Sequence, residues 1–391
     1  MKLRDHRIPA IAASASFWAW CALLSYPMIS GSYPVYAISQ AVGLALFLAT
    51  VSLACFSRLS SALVSMNLAQ IGILVIICLS LLLQLHGDEL GTLSGIFYTS
   101  LLPVTAVALA VLWTLEPADF GRCMTVAAVV LCLFGITAIA ILGWPEQRDL
   151  GGFLQPNIFA APLLASLVFS QFRPGLVGLI VRILCLAMVA LVSSRFALIG
   201  CITAMALYEL TFNPLSPAKI PALVIALIAG IALWPQIAGI LALDDSTRGL
   251  SSGFSGRDER WQLALDAIAD NPFGIGFKRT IGDEAGHNGY LKLIVEFGIP
   301  GGGLLILFIA YSFLVAGIDA CRRAGKDWQQ HRFDCARFGG LGALLFGAFF
   351  QPQVFSLGDN FAMCFLLLLF KPEALAREPV VRSGEMPVQQ F

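Results

Sequence analysis

SGRDERWQLALDAIADNPFGIGFKRTIGDEAGHNGYLKLIVEFGIPGGG, residues 255–303, forms most of the one long polar segment, 243–299, in a chain that is otherwise apolar almost end to end. Two arginines stand three apart at its start, a Pro/Gly-rich turn follows, and a histidine precedes a second apolar run. Ser255 reads as a helix N-cap, with Asp258 and Glu259 in the first turn where carboxylates favour the positive helix end. Trp261, Leu265 and Ile268 then recur at i, i+4 and i+7 and predict one apolar face. Asn271-Pro272 ends that helix, and Gly274 and Gly276 permit a tight return. A second helix is expected to start near His287 or Asn288, to carry Leu291, Ile294 and Val295 on one side, and to stop at Gly298-Ile299-Pro300.

Outward from this segment the chain reads as a membrane protein. Hydrophobic residues make up 58% and charged residues 12%, about half the charged share of soluble domains. Apolar runs near the ~20 residues that cross a bilayer predict about twelve transmembrane helices, at 9–29, 34–56, 63–85, 94–115, 123–144, 157–172, 175–192, 196–212, 220–242, 300–320, 336–356 and 360–370. The predicted fold class is all-α, a polytopic integral membrane protein with one large outer loop containing short helices. Residues 1–370 form a single membrane domain, and 371–391 a Pro/Glu/Arg-rich tail without apolar periodicity, read as disordered and cytoplasmic. A polar segment at 321–337 reads as a cytoplasmic loop.

Basic residues are retained in short cytoplasmic loops. With the N-terminus inside, sixteen Lys and Arg fall on the cytoplasmic face and eight on the outer face, which places 243–299 outside. The net charge of zero excludes a general polyanion or nucleic-acid binder. The ten cysteines form no CxxC pair and none lies in a predicted outer loop, so neither disulfide nor zinc site is expected. Nucleotide loops of the GxxxxGK[ST] type and HExxH are lacking; the expected chemistry uses no cofactor and no metal.

The candidate residues are few. Arg257 and Arg260 project from one helix face, and their guanidinium forks suit phosphate oxygens; pairing with Asp258, Glu259 or Asp266 in a solvated network is the other reading. Trp261 beside them reads as an interfacial anchor or a sugar-stacking platform. Arg195 interrupts apolar sequence in LVSSRFALIG, where a charge near hydrocarbon marks function or snorkels to the surface. His287, the one histidine of the long segment, can accept a proton at neutral pH or serve the fold. At an outer face without ATP, an activated substrate carries its own leaving group. A lipid-linked diphosphate fits arginines that neutralise the leaving group and a base that deprotonates the attacking hydroxyl.

Four stretches, GGFLQPNIFAAPLLA (151–165), SSRFALIG (193–200), SGRDERW (255–261) and NPFGIGFKR with AGHNGYLKLIVEFGIPGGGLL (271–305), resemble the O-antigen ligase family of bacterial envelope glycan ligases, polymerases and protein O-oligosaccharyltransferases. The resemblance covers the second half of the polytopic core. It implies transfer of a glycan from undecaprenyl diphosphate to an acceptor hydroxyl at the periplasmic face of the bacterial inner membrane, without metal. It implies that Arg195 and Arg257 bind the diphosphate with Arg260 assisting, that His287 activates the acceptor, and that Asn157 and Asn288 shape the cavity. The implied acceptor is lipid A-core for a ligase, another lipid-linked repeat for a polymerase, or a protein hydroxyl for an oligosaccharyltransferase. The competing class is a transporter for an anionic lipid-linked glycan, which would use the same arginines without a base. Broken helices or buried charges spread across both halves would favour it, and here the charges cluster on one face.

Overall fold

The computed structural model describes residues 7–30, 59–80, 82, 89–143, 156–213, 257–277, 287–323 and 327–372, with scattered positions between 221 and 238. Among the described residues the chain is helical without strands. In order the helices are α1 (Arg7–Ser30), α2 (Leu59–Ser65), α3 (Leu68–Leu79), α4 (Glu89–Leu112), α5 (Pro117–Leu142) and α6 (Pro156–Ser170). They continue as α7 (Leu176–Leu191), α8 (Arg195–Phe212), α9 (Arg257–Asp270), α10 (Gly289–Arg322), α11 (Trp328–Ala348) and α12 (Asn360–Leu369).

These elements do not map one to one onto the expected spans. The span expected at 63–85 contains a break, where Asn67 and Gln70 close a capping box that starts α3 anew. α9 belongs to the polar segment, the span at 34–56 lies outside the described residues, and that at 220–242 is described only at scattered positions. Among the described residues three helices, α5, α8 and α10, are long and apolar enough to cross a membrane. α3, α6, α7 and α12 are shorter apolar helices.

Burial sorts the helices into centre and rim. α6 is buried at every position from Ile158 to Ser170, and α12 at every position from Asn360 to Leu369; a helix apolar all round belongs at the centre. α7 instead exposes Leu176, Leu179, Ile180 and Ile183, and α10 exposes Leu304, Leu307, Leu314 and Ile318. Such continuous apolar stripes on an outer surface suit lipid rather than water.

Because hydrocarbon gives helices no hydrophobic reason to pair, close contact and small polar side chains do that work. α8 packs on α11, where a Cβ at Gly339 would stand 2.5 Å from the Ala204 carbonyl oxygen. Ser166 Oγ on α6 donates to the Ala128 carbonyl on α5 at 2.7 Å. Asn360, fully buried at the start of α12, donates through Nδ2 to the Cys21 carbonyl and to Ser25 Oγ on α1, both at 3.0 Å. The nine described cysteines are free.

The segment at 321–337 is not a loop. α10 runs through Arg322 and α11 starts at Trp328, burying His331, Arg332, Asp334 and Arg337. Asp327 caps α11 through the Gln329 and Gln330 amides. Part of the charge that suggested solvent is satisfied internally: Asp334 holds Arg323 at 2.7 Å and also takes the Lys371 ammonium. Lys371, expected to open a free tail, is thereby packed against the bundle. The tail from residue 373 onward lies outside the described residues.

Candidate functional site

α6 begins at Pro156, a residue suited to the first helical turn because its missing N–H would be unpaired there anyway. Asn157 follows, half-buried. Its side-chain oxygen accepts a hydrogen bond from Ser194 Oγ at 3.0 Å. Ser194 stands at the N-cap of α8, yet its side chain makes no cap hydrogen bond; the hydroxyl is turned toward α6 instead. The first turn of α8, opening at Arg195, thus keeps a positive helix end that Ser194 does not close, with a half-buried guanidinium on it.

His287 and Asn288 stand at the start of α10. Asn288 Oδ1 accepts from the Tyr290 and Leu291 amides at 2.9 and 3.2 Å, so this side chain holds the helix start. Gly289 leaves room for the approach of α11: a Cβ there would meet the Val354 side chain, with the Gln351 and Ala348 carbonyl oxygens at 2.9 and 3.1 Å. Tyr290 Oη donates to the Leu345 carbonyl at 2.7 Å.

The two starts share one end of the bundle. Phe196, next to Arg195, faces Phe361 with ring centroids 6.3 Å apart, and a Cβ on Gly347 of α11 would lie 3.7 Å from the Phe196 ring and 2.6 Å from that of Phe361. Gly289 touches α11 one residue further on. The C-terminal turn of α11 therefore joins the Asn157–Ser194–Arg195 group to the His287–Asn288 turn. Among the described residues, Ser193 (φ 50°) and His287 (φ 47°) are the only non-glycine positions with positive φ. Each immediately precedes an N-cap, of α8 and α10 respectively. Backbone held in this sparsely populated region clusters at functional sites.

Arg257 is the first residue of α9 and Arg260 lies half-buried three positions on; the Arg257 side chain and Ser255 are outside the described residues. Asp266 accepts from Gln262 Nε2 at 2.9 Å. The inward seam of α9 runs through half-buried Trp261, buried Ala264 and half-buried Ile268, whereas Leu265 is 49% exposed. Ala264, three residues from Trp261, marks the face that meets α10 better than the larger leucine does.

α9 seats on α10 through the turn that the Pro/Gly pattern foretold. Gly298 takes φ 73° and breaks α10. The groups stranded by that break are used by the returning chain: Ile275 N donates to Val295 O at 2.9 Å, Gly276 N donates to Glu296 O at 3.0 Å, and the stranded Ile299 N donates to Pro272 O at 2.8 Å. Pro300 has no N–H to give Glu296 O, which is why the loop can take it.

Two features of this end were not singled out from sequence. Ser194 was one serine of a pair, and its bond to Asn157 spans 37 residues. Lys292 and Glu296, an i,i+4 pair 3.7 Å apart on the first segment of α10, bury the carboxylate to 1% exposure; their spacing was the available signal. Among the described residues no three His, Cys, Asp or Glu side chains gather in a way that would hold a metal. No protein-family model and no curated protein matches the chain.

Proposed function

We propose that the chain is a membrane glycosyltransferase that moves a glycan from undecaprenyl diphosphate to an acceptor hydroxyl, most simply as an O-antigen ligase acting on lipid A-core at the periplasmic face. The observation that carries the reading is that the Asn157–Ser194–Arg195 group and the His287 turn lie at the same end of the bundle, each beside the last turn of α11. The acceptor O–H gives its proton to His287, its oxygen bonds to the anomeric carbon, and the bond from that carbon to the diphosphate breaks. The charge gathering on the departing diphosphate meets Arg195 on the first turn of α8, with Arg257 and Arg260 of α9 as further partners. The polymerase and protein O-oligosaccharyltransferase readings share this chemistry and differ in the acceptor.

A second reading has its own support. α10 is broken at Gly298, and buried charges gather at the opposite end of the bundle around Asp334, features that suit a carrier of anionic lipid. Purified protein in detergent, given undecaprenyl-diphosphate glycan with each acceptor type, a chelator and no nucleotide, separates the two. Release of undecaprenyl diphosphate with a new glycosidic product is expected. No product with any acceptor, alongside movement of the lipid across vesicles, would replace transfer by transport. Reporter fusions at Gly282 and at the C-terminus are expected to report opposite sides, and the same side for both would overturn the orientation.

A further inference from the structure

At the end of the bundle away from Arg195 and His287, a cavity of about 350 Å³ opens between α3, α10 and the chain leaving α12, within the ~300–1,000 Å³ range of small-molecule sites. We propose that it binds the phosphate headgroup of an anionic phospholipid, whose acyl chains run out along α10. The proposal does not depend on the transferase reading; only the leaflet, cytoplasmic, follows from the orientation given above.

Charge is the first argument. Arg322, Arg323, Arg337 and Lys371 line the cavity with one carboxylate, Asp319. Asp334 adds a second from behind, and it is already shared between Arg323 and Lys371. Four cations against two carboxylates leave room for an anion of one or two charges. Arg337 is 4% exposed, and its one hydrogen bond among the described residues is from Nε to the Leu368 carbonyl at 2.8 Å. The terminal nitrogens of a nearly buried guanidinium are left for whatever occupies the cavity. Burial pushes the Lys371 ammonium below its ordinary range, with Asp334 pulling the other way; a further anion would relieve that cost.

The shape of the wall is the second. Phe308, Tyr311 and Val315 and then Asp319 and Arg322 recur at helical spacing along α10, so one stripe passes from apolar to charged toward the helix end. That order matches an amphiphile, chains beside the hydrocarbon and phosphate at the interface. A soluble phosphate would use the charged end alone.

The pocket is also built to keep its shape. The last carbonyls of α12, which no helical N–H can reach, are each claimed from another element. Trp113 Nε1 takes Leu367 at 2.8 Å, Arg337 Nε takes Leu368, and Gln70 Nε2 takes Leu369 at 3.3 Å and Lys371 at 2.8 Å.

Delipidated protein in detergent, titrated by native mass spectrometry with phosphatidylglycerol, with phosphatidylcholine of the same chains and with inorganic phosphate, tests this. Phosphatidylglycerol is expected to bind in preference to phosphatidylcholine. Arg322→Gln, on the exposed rim, should weaken it about fivefold, near what one basic residue contributes at a membrane surface, and Arg322→Lys should restore it. Arg337→Gln, read beside its thermal unfolding, should weaken it further. Equal retention of phosphatidylcholine, an unchanged affinity in Arg322→Gln, or saturation by inorganic phosphate without lipid retention would each overturn the proposal, the last by assigning the site to a soluble anion.

Discussion

Ser194 Oγ donates to Asn157 Oδ1 across 3.0 Å, so the residue at the N-cap of α8 ties that helix to α6 rather than closing its own first turn. Asn157→Ala removes the acceptor and frees the hydroxyl to cap α8 in the ordinary way. The lost hydrogen bond costs about 0.5–1.5 kcal/mol and a new cap offsets part of it, so the protein should stay folded. Transfer should nonetheless fall about tenfold or more as the Arg195 turn loses its tether. Asn157→Asp keeps the acceptor but sets a negative charge beside the diphosphate site, and donor affinity should drop further. Donor binding and thermal unfolding measured together check this; wild-type donor affinity in both variants would detach Asn157 from the site.

Arg195 and Arg257 are proposed to hold the diphosphate as forks rather than as point charges. Lysine keeps the charge and loses the paired donors. Arg195→Lys and Arg257→Lys should insert and fold, and each should retain a small fraction of transfer with weakened donor binding. Wild-type rates in both would return these side chains to surface roles.

How much of this was legible in sequence follows the distance over which each feature acts. The end of α9 before Asn271-Pro272, the return at Gly274, the start of α10 at Asn288 and its break at Gly298 rest on residues within a turn or two of each other, and local chemistry reads them. Asn157 with Ser194, and Asp334 with Lys371, are separated by 37 residues each. No local pattern pairs them. The same gap explains the misreading of 321–337: a run rich in Arg, Lys and Gln looks solvated until Asp334 is seen to neutralise charges brought from α10 and from beyond α12. Leu265 failed as a facing residue because periodicity names a stripe, and only packing against α10 chooses between its edge and the alanine beside it.

Gly298 should resist substitution. At φ 73° an L side chain is strained, and its Cβ would meet the Phe273 backbone, a combination that should cost upward of about 1–2 kcal/mol. Gly303→Ala is the control, because a Cβ there meets nothing within 4 Å. Thermal unfolding should drop for Gly298→Ala and stay level or rise for Gly303→Ala. Equal behaviour would mean that the return from α9 to α10 is not fixed at Gly298.

Asp334 is shared by Arg323 and Lys371. Asp334→Ala leaves Lys371 without its ion pair at 10% side-chain exposure, a change of the kind that costs about 3–5 kcal/mol. Replacing both, Asp334→Leu with Lys371→Met, should recover part of that loss because no buried ammonium then lacks its carboxylate. Unfolding midpoints of the single and double variants decide it, and a double variant no more stable than the single would show that the cluster's contribution is not electrostatic.

His287 lies exposed at φ 47°, so a substitution can disturb the turn as well as remove a base, and the choice of variant separates the two. Glycine and asparagine accept positive φ readily; alanine does not. If the backbone were all that mattered, His287→Gly and His287→Asn would transfer normally, with the glycine variant as stable as wild type or more so. If His287 deprotonates the acceptor, both should fold normally, bind donor through Arg195 and Arg257 as before, and lose about 10²–10⁴-fold in transfer rate. His287→Ala should add a loss of stability to the same loss of rate. Single-turnover transfer measured beside donor affinity and thermal unfolding distinguishes these outcomes. Near-normal transfer by His287→Gly would make the histidine a turn residue, and the base would then have to be sought elsewhere at this end, with the buried carboxylate of Glu296 beside Lys292 the first to replace.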